Sequence, residues 1–377
     1  MILPEATLGV LGGGQLGRMF TIAARTMGYK VIVLDPDPMS PAAALANEHV
    51  QREYTDPEAL AYLATHCAAV TTEFENVPVE ALRRLEAQCL TSPGATAVEY
   101  AQDRIREKSF IRDCGLATAP FQPVHNVMEL DAALASIKLP AILKTAALGY
   151  DGKGQRTVSD PAQAHAAFAE LGNKPCVLEE RIDLQMELSV LLARSRKGEI
   201  AVYPPSENMH VHGILDTSIV PARTSPEIAD RATGMARILA EKLDYCGILT
   251  VELFLTRGNE LLVNEIAPRP HNSGHYTLDA CLTSQFEQQV RMLCGLPPGE
   301  TRQLSPVVMI NLLGDLWEGG SPAWGELFQY PNAKLHLYGK QAARPGRKMG
   351  HCNVLATEVE RALDVAGGIQ KALRQGR

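Results

Sequence analysis

The chain has 377 residues, enough for two or three domains, and its apolar fraction of 46% and charged fraction of 21% are those of an ordinary globular protein. Its net charge of −7 argues against a dedicated nucleic-acid or membrane-surface binder, since both partners favour a basic protein face. The sequence has no apolar run that could cross a bilayer and begins without a basic leader segment. We therefore expect a cytoplasmic protein that binds neither nucleic acid nor membranes.

The eight cysteines are scattered along the chain and include no Cys-x-x-Cys pair. Zinc frameworks and thioredoxin-like redox sites need such close pairs, so neither is expected. Most of these cysteines are predicted to be small apolar core residues in a reducing compartment, and none is assigned to the functional site.

The first hundred residues alternate between strand and helix patterns joined by short links. Strands are predicted at 8–11, 30–35 and 69–74, and helices at 15–27, 57–66 and 78–88. Such alternation is typical of a parallel sheet covered by helices on both faces. We therefore predict an α/β fold with an N-terminal Rossmann-like domain over residues 1–100.

A polar helical stretch at 95–114 leads into shorter units, and the chain past 299 is again strand-rich. Further strands are predicted at 141–145, 176–180, 187–193, 199–203, 247–255, 260–266, 307–313, 334–338 and 351–357, and helices at 160–171 and 226–243. The strands at 187–193 and 199–203 form a predicted antiparallel hairpin. We predict a second domain over 101–298, with a small lid subdomain at about 120–182, and a strand-rich third domain over 299–377.

The motif Gly12-Gly13-Gly14-Gln15-Leu16-Gly17 fits G-x-G-x-x-G between the first strand and the first helix. Glycines there let backbone N–H groups and the helix N-terminus approach a phosphate closely. With Asp35 at the end of the second strand, the motif taken alone favours a nicotinamide-dependent oxidoreductase. The same loop holds any phosphate group, and it also occurs as a tight turn without a ligand, so these interpretations stay open.

A second glycine-rich loop follows Lys144, which ends a predicted strand. The loop carries three glycines and another lysine, in the order Gly149-Tyr150-Asp151-Gly152-Lys153-Gly154-Gln155. One cation on a strand and another on a flexible loop suit a nucleoside triphosphate. The loop lacks the G-K-[ST] ending of a Walker A motif, and a plain surface hairpin is the less favoured interpretation.

An acidic segment, Glu179-Glu180-Arg181-Ile182, ends the strand that begins at Cys176, and Glu187 lies on the next strand. Its backbone could bind an adenine amino group while a carboxylate binds ribose hydroxyls. By itself this signal is unspecific, because acidic strand ends are usually solvated.

Two glutamates stand within apolar strands, Glu252 in LTVELFL and Glu265 in LLVNEIA. A carboxylate in such a strand costs several kcal/mol, on the order of the usual penalty for a buried charge, unless it is paired. If both side chains point to one face of adjoining strands, they can share a divalent cation such as Mg²⁺. A buried ion pair is the weaker alternative.

A polar loop follows directly, Ala267-Pro268-Arg269-Pro270-His271-Asn272-Ser273-Gly274-His275. Its guanidinium, imidazole and amide groups suit an acyl phosphate with a planar carboxylate. For His275 a structural role is the stronger interpretation. Far along the chain, Arg344-Pro345-Gly346-Arg347-Lys348 concentrates three cations around a turn, which is either a solvated surface or a second anion site.

The order of these motifs resembles the ATP-grasp superfamily. Within it, the strings GGGQLGRM, TTEFENVP, GYDGKGQ, NEIAPRPHNSGH and RPGRKMGH resemble the 5-(carboxyamino)imidazole ribonucleotide synthase family of bacterial purine biosynthesis, over nearly the whole chain. The resemblance implies an ATP-dependent carbon–nitrogen ligase that forms carboxyphosphate from ATP and bicarbonate. The carboxyl group then passes to the amine of 5-aminoimidazole ribonucleotide. It also implies a homodimer that uses Mg²⁺ but neither NAD nor biotin.

The same resemblance implies roles for individual residues. Nucleotide contacts are expected at Arg104, Lys144, Gly149, Tyr150, Asp151, Gly152, Lys153, Gly154, Gln155, Glu179, Glu180, Arg181, Ile182, Glu187, His210, Asn264 and Glu265. Magnesium is expected on Glu252 and Glu265, and bicarbonate and carboxyphosphate on Arg269, His271, Asn272 and Lys348. The ribonucleotide is expected to meet the Gly14-Gln15-Leu16 turn through its phosphate, with Glu73, Tyr150, Asp151, Lys153, Arg347 and Lys348 around it, Tyr150 and Asp151 also taking part in catalysis.

Three alternatives remain beside this interpretation. An NAD-dependent oxidoreductase accounts for the first glycine motif but leaves Lys144 and the paired glutamates without a role. A non-catalytic nucleotide sensor needs neither the two carboxylates nor the arginine–histidine loop. A sister ligase that uses formate on a different ribonucleotide is the narrower rival within the same superfamily.

Overall fold

The fold is described from a computed structural model that covers residues 1–147 and 154–375. Within these two ranges, no helix combines the length and the apolar character that crossing a membrane would need.

The N-terminal part is a five-stranded parallel sheet in the order β3-β2-β1-β4-β5 with helices on both faces. Its elements are β1 Thr7–Leu11, α1 Gln15–Thr26, β2 Lys30–Leu34, β3 Glu48–Val50, α2 Pro57–His66, β4 Ala69–Thr72, α3 Val79–Glu86 and β5 Leu90–Thr91. Asp56 caps α2 through the amides of Glu58 and Ala59, and Pro57 occupies the first turn, where a missing N–H costs nothing. The predicted parallel α/β domain is confirmed. Its central strands β1 and β4 end at a cleft between the sheets, the candidate functional site described below.

The polar stretch predicted as one helix is two, α4 Ala95–Gln102 and α5 Arg104–Asp113. Asp103 breaks the helix because its extended backbone bridges to Ala147, while its carboxylate accepts from the amides of Ile105 and Arg106. This cap makes Arg104 the first residue of α5. The break thus brings Arg104 to the edge of the cleft.

A small four-stranded antiparallel sheet follows, in the order β6-β9-β7-β8. Its elements are β6 Phe121–Val124, α6 Val127–Ser136, β7 Ala141–Thr145, β8 Gln155–Val158, α7 Pro161–Glu170 and β9 Cys176–Glu180. The two helices pack on one face of the sheet around Leu143, Phe168 and Leu178. The other face of β7 presents Lys144 to the cleft.

The remaining strands form one nine-stranded antiparallel sheet, the large sheet, in the order β15-β14-β10-β12-β13-β16-β18-β17, with β11 paired to β10. Its strands and helices are β10 Leu184–Arg194, β11 Ile200–Val202, β12 Ser206–Val211, β13 Ile214–Val220, α8 Pro226–Lys242, β14 Gly247–Thr256, β15 Leu261–Ala267, α9 Thr277–Ala280, α10 Gln285–Leu293, β16 Val307–Leu313, α11 Trp324–Leu327, β17 Ala333–Leu337, β18 Lys348–Leu355 and α12 Val359–Gln375. The pairing of β10 with β11 confirms the predicted hairpin.

The C-terminal strands belong to this same sheet rather than to a sheet of their own. β16 pairs with β13 from Thr217 opposite Ile310 to Val220 opposite Val307. α12 covers β16 and β18 with a separate apolar cluster that includes Ile369. The segment predicted as a third domain, 299–377, therefore shares both this apolar cluster, which includes Ile219, and backbone hydrogen bonds with β13.

One glycine fixes where the basic turn at 344–348 lies. A Cβ atom on Gly314 would stand 2.0 Å from the carbonyl oxygen of Arg344, so only glycine allows this approach. The Gly314 amide donates to the carbonyl of Arg347 (2.8 Å), and the Gly346 amide donates to Asp315 Oδ2 (2.7 Å). The turn is thus bound to the end of β16, with its cations beside the cleft.

We expect Gly314→Ala to destabilise the protein by about 1–3 kcal/mol, the usual cost of overpacking, because the new methyl group meets backbone that cannot move aside. The thermal unfolding midpoint measures this. Gly325→Ala in α11 is the matched control, since nothing lies within 4 Å of its added Cβ. Equal midpoints for the two variants would contradict the assigned packing.

Candidate active site

A cleft of about 990 Å³ opens where the parallel sheet, the four-stranded sheet and the large sheet meet. The predicted site residues that line it are Gly14, Gln15, Leu16, Glu73, Arg104, Lys144, Gln155, Glu187, His210, Glu252, Asn264, Glu265, Arg269, His271, Asn272, Arg347 and Lys348. These residues come from widely separated parts of the chain, from Gly14 to Lys348. Their convergence is the main result of the structure.

Some predicted residues do not line this cleft. Gly154 starts the turn into β8, and Glu179, Glu180, Arg181 and Ile182 lie at and beyond the end of β9, beside the cleft. The predictions for Gly149, Tyr150, Asp151, Gly152 and Lys153 fall outside the described residues.

Glu252 and Glu265 are direct cross-strand partners on β14 and β15, and both line the cleft. Directly opposed residues of an antiparallel pair point to the same face, so the predicted geometry is confirmed. Burial and the neighbouring charge of Glu265 raise the pKa of Glu252 to about 8. Glu252 Oε1 lies 3.1 Å from His271 Nε2, and Glu265 Oε2 accepts from Arg104 Nη1 at 3.2 Å.

The oxygen atoms at this point suit a hard divalent cation. Besides the two carboxylates, Asn264 Oδ1 is buried and has no hydrogen-bond partner among the described residues. In the part of the chain that is described, no three His, Cys, Asp or Glu side chains form a closed metal cage. An incomplete set of oxygen ligands is what Mg²⁺ uses when substrate phosphates and waters fill its remaining positions.

A buried ion network stands beside the carboxylate pair. Glu179 Oε2 accepts from Lys144 Nζ at 2.8 Å, and Glu179 Oε1 lies 3.3 Å from Lys108 Nζ. Burial alone would raise the pKa of Glu179, but Lys144 and Lys108 hold it at about 2. Lys108 also donates to the carbonyl of Asn264 (3.2 Å), which joins the network to β15.

Sequence reasoning missed Lys108 and its neighbour Glu107. Glu107 accepts from the amide of Ile266 (2.7 Å), and burial together with Glu265 raises its pKa to about 8. Both residues lie in the charged segment RIREKSFIRD, where charges are normally solvated. The one available signal was the spacing of Arg104 and Lys108, which places them on one face of α5.

The N-terminal glycine loop is already occupied by carboxylates of the same chain. The Gly13 amide donates to Asp35 Oδ2 (2.6 Å), and the amides of Gly14 and Gly17 donate to Glu73 Oε1 (2.5 Å) and Oε2 (2.6 Å). Asp35 also accepts from Tyr54 (2.8 Å). The Gly14 amide is thus engaged by Glu73, and the contact of the Gly14-Gln15-Leu16 turn with the ribonucleotide phosphate stays a prediction.

The Gln15 side chain of the same turn contacts a lysine that also lines the cleft. Lys340, which sequence reasoning missed, donates to Gln15 Oε1 and to the carbonyl of Lys348 (2.8 Å). It belongs to no motif and lies 325 residues from Gln15. Lys340, Arg344, Arg347 and Lys348 together give this end of the cleft a strongly cationic wall.

His210 and Glu187 form a pair on the neighbouring strands β12 and β10, with His210 Nδ1 2.7 Å from Glu187 Oε2. Burial lowers the pKa of His210, but Glu187 outweighs it and the net shift is upward. This pair lies on the same face of the large sheet as Glu252.

The loop after β15 is held rigidly. The side-chain amide of Gln285 binds the backbone of His271. Its oxygen accepts from the His271 N–H, and its nitrogen donates to the His271 carbonyl, at 2.8 Å each. Burial first, then Arg269 and Lys348, lower the pKa of His271 well below its usual value, so its imidazole is neutral. Asn272 exchanges two amide hydrogen bonds with Asn311 (3.0 and 2.7 Å). His275 is fully buried against Gln285, and the structural role favoured for it stays a prediction.

Comparisons with known proteins match this architecture. A ribonucleotide synthetase preATP-grasp domain model matches residues 5–102, an ATP-grasp domain model 109–286, and a phosphoribosylaminoimidazole carboxylase C-terminal domain model 307–364. N5-carboxyaminoimidazole ribonucleotide synthase of Bacillus subtilis (strain 168) is 46% identical over 354 residues, covering 93% of this chain and 92% of the relative. The chain belongs to the N5-carboxyaminoimidazole ribonucleotide synthase family.

Solved structures of this synthase family show the same fold. An N5-carboxyaminoimidazole ribonucleotide synthetase in complex with ADP is 43% identical, with a TM-score of 0.94 over 100% of this chain and 99% of that one. The Aspergillus clavatus synthase, in complex with ADP and 5-aminoimidazole ribonucleotide, is 32% identical, with a TM-score of 0.90 over 98% and 99% of the two chains. The predicted family and ATP-grasp fold are confirmed.

Membership of the synthase family disfavours the oxidoreductase and formate-ligase alternatives. The geometry explains why the first glycine motif, taken alone, favoured a nicotinamide-dependent oxidoreductase. In a dinucleotide-binding domain the loop amides hold a pyrophosphate and the acidic residue holds ribose. Here Glu73 accepts hydrogen bonds from the amides of Gly14 and Gly17, and Asp35 accepts one from the amide of Gly13.

We expect Glu179→Gln to destabilise this synthase family member by about 3–5 kcal/mol at pH 7, because it leaves two buried lysines without their counter-ion. The folded pKa of about 2 lies below the ordinary 4.5. The carboxylate's contribution is therefore complete above about pH 5 and is lost as the pH falls towards 2. Thermal unfolding at pH 7 and pH 3.5 should show the gap between wild type and variant narrowing in acid.

Glu170→Gln is the control for this experiment, since it removes an exposed ion pair with Arg156 (3.0 Å), worth at most about 1 kcal/mol. A Glu179→Gln variant as stable as this control at pH 7 would contradict the assigned network.

Proposed function

We propose that this protein is an ATP-dependent ligase that carboxylates the amine of 5-aminoimidazole ribonucleotide with bicarbonate. The products would be 5-(carboxyamino)imidazole ribonucleotide, ADP and phosphate, in purine biosynthesis. The observation that carries the proposal is the opposed pair Glu252 and Glu265, in one cleft with Lys144, the Arg269–His271 loop and the basic turn. The complex of the Aspergillus clavatus relative with ADP and 5-aminoimidazole ribonucleotide supports it.

ATP would bind between the four-stranded sheet and the large sheet. Lys144 and Arg104 lie where they can bind phosphate oxygens. Each is already paired with a carboxylate, Lys144 with Glu179 and Arg104 with Glu265, and the phosphate would add to this pairing. The backbone at 179–182 would meet the adenine, and Glu187 and His210 the ribose side. The loop predicted to close over the phosphates, including Lys153, completes this part of the proposal.

Mg²⁺ would be held by Glu252 and Glu265, with Asn264 Oδ1 beside them. When bound, it would neutralise phosphate charge and orient the terminal phosphoryl group. The protein's own contribution is to hold both carboxylates on one face, with Arg104 and His271 contacting their outer oxygens.

The carboxyl-donor end would lie between the loop after β15 and the basic turn. A bicarbonate oxygen attacks the terminal phosphorus of ATP and ADP leaves, which gives carboxyphosphate. The amine nitrogen then bonds to the carboxyl carbon, the C–O bond to phosphate breaks, and the amine proton leaves with the phosphate. Arg269 and Lys348 supply positive charge there, and His271 is held neutral and fixed by Gln285.

The ribonucleotide phosphate would meet the Gly14-Gln15-Leu16 turn, beside the cationic wall formed by Arg347 and its neighbours. Gln15 and Leu16 would line its site, and Glu73 would hold the loop in shape. Tyr150, Asp151 and Lys153 are proposed to lie around the ribonucleotide.

The proposal also covers three broader points. The chain would divide into domains at 1–100, 101–298 and 299–377, function in the cytoplasm, and act as a homodimer. Light scattering on the purified protein tests the last point.

ADP release with and without bicarbonate and 5-aminoimidazole ribonucleotide tests the proposed function. We expect the release to need bicarbonate and to couple to carboxylated product. A formate arm and a nicotinamide-absorbance arm test the two rivals, and turnover in either of these with none in the bicarbonate arm would overturn the proposal.

We predict that Glu265→Gln lowers ATP turnover by more than about 100-fold, the upper end of what losing a supporting group around a metal costs. The amide keeps the shape but removes the charge that a divalent cation needs. ADP release at rising Mg²⁺ concentration measures the effect. Glu260→Gln, exposed just before β15, should behave like wild type. Unaltered turnover of Glu265→Gln at saturating Mg²⁺ would refute the metal role.

We predict that Lys348→Ala mainly lowers the ratio of carboxylated product to ADP, because carboxyphosphate loses a neighbouring cation and is hydrolysed before the amine reacts. The ratio is measured by following both products in one assay. Lys334→Ala, exposed on β17, is the control. A normal ratio in Lys348→Ala would count against the assignment.

A further inference from the structure

Glu75 has no role in the proposed reaction, yet it holds the arginine at the carboxyl-donor end. Its carboxylate accepts hydrogen bonds from two guanidinium nitrogens of Arg269. Nε donates to Oε2, and Nη2 donates to Oε1 at 3.0 Å. The two residues are 194 positions apart, and their side chains are only 22% and 16% exposed. Burial would raise the pKa of Glu75, but Arg269 reverses this and holds it below the usual value.

The backbones at both ends of this ion pair are also fixed. Gln102 donates from Nε2 to the carbonyls of Glu75 (2.6 Å) and Val77 (2.7 Å). Arg269 stands between two prolines, its amide bonded to Ala267 and its Nη1 donating to Pro270 (3.1 Å). Every guanidinium nitrogen of Arg269 is therefore hydrogen-bonded. A planar fork held in this way keeps one orientation.

Glu75 lies two residues after Glu73, on the loop that leaves β4. Glu73 holds the amides of Gly14 and Gly17 on the acceptor side of the cleft, and Glu75 holds Arg269 on the donor side. One three-residue segment thus connects the two halves of the site. A misplacement of about 1 Å between reacting groups can cost about 100-fold in rate, so such a connection has kinetic weight.

We propose that Glu75 is a positioning residue that orients Arg269 for the carboxyl donor and keeps the donor in register with the amine acceptor. This inference rests on the proposed function. A rival interpretation starts from the same ion pair: Glu75 occupies Arg269 as an internal anion that bicarbonate must displace. The two interpretations predict opposite changes in the KM for bicarbonate.

The test is steady-state kinetics of Glu75→Gln, which keeps the shape but removes the charge that fixes the guanidinium. We expect the KM for bicarbonate to rise about tenfold or more, as for loss of other supporting hydrogen-bond partners. The ratio of carboxylated product to ADP should fall, while the Kd for ADP stays as in wild type. Glu80→Gln on α3 is the control, because it removes only an exposed pair with Arg84 (3.3 Å).

A double-mutant cycle with Arg269→Lys separates positioning from general damage. Lysine cannot donate the planar two-point contact to the Glu75 carboxylate, so the double variant should be no more impaired than Arg269→Lys alone. Effects that multiply would show that Glu75 acts independently of Arg269 and would overturn the proposal.

Other results also overturn it. A lower KM for bicarbonate in Glu75→Gln would identify Glu75 as a competing anion, and unchanged KM and coupling would leave it without a role in the reaction. Loss of ADP binding together with a lowered unfolding midpoint would make it a structural residue only. Wild-type protein without bicarbonate-dependent ADP release would instead reject the proposed function, so the two failures are distinguishable.

Discussion

Two carboxyl groups oppose each other across β14 and β15 inside an otherwise apolar sheet, and much of the cleft is arranged around them. Isolated charges in such a place cost several kcal/mol, which the pKa of about 8 for Glu252 reflects. Arg104 and His271 contact the two carboxylates from different parts of the chain, and Lys348 stands near enough to lower the pKa of Glu252. Groups from distant segments of the chain therefore meet at this pair.

The parts of the site that the sequence predicted are those with a local signal. A glutamate in an apolar strand, or an arginine between two prolines, stands out from its immediate neighbours. Lys108 and Glu75 gave no such signal, because each lies in a polar stretch and finds its partner far along the chain. Only the folded chain shows that Lys108 is fully buried.

The fold was predicted where hydrophobic periodicity is strong and missed where it is weak. Strands β1, β7, β9 and β16 lie within a residue of the predicted bounds, since buried apolar runs define them. The strand Ser206–Val211 reads SENMHV and was missed, because its first three positions are polar but buried, while Met209 and Val211 are exposed. The break at Asp103 was also missed, since a capping aspartate within a polar stretch resembles any other charge.

The glycine loop shows why a phosphate-binding motif is not sufficient evidence of a cofactor. Its amides have the exposed geometry that anions seek at a helix N-terminus, and the chain supplies those anions itself through Glu73 and Asp35. The N-terminus of α1 therefore binds carboxylates that follow β2 and β4, at the rim of the cleft.

The continuity of the large sheet determines how the chain can be divided. β13 pairs on one side with β12 and on the other with β16, which belongs to the last seventy or so residues. A fragment that stopped before Val307 would leave a row of unpaired backbone N–H and C=O groups along β13. Such an open edge invites self-association, so the segment matched by the C-terminal domain model cannot be removed as an independent module.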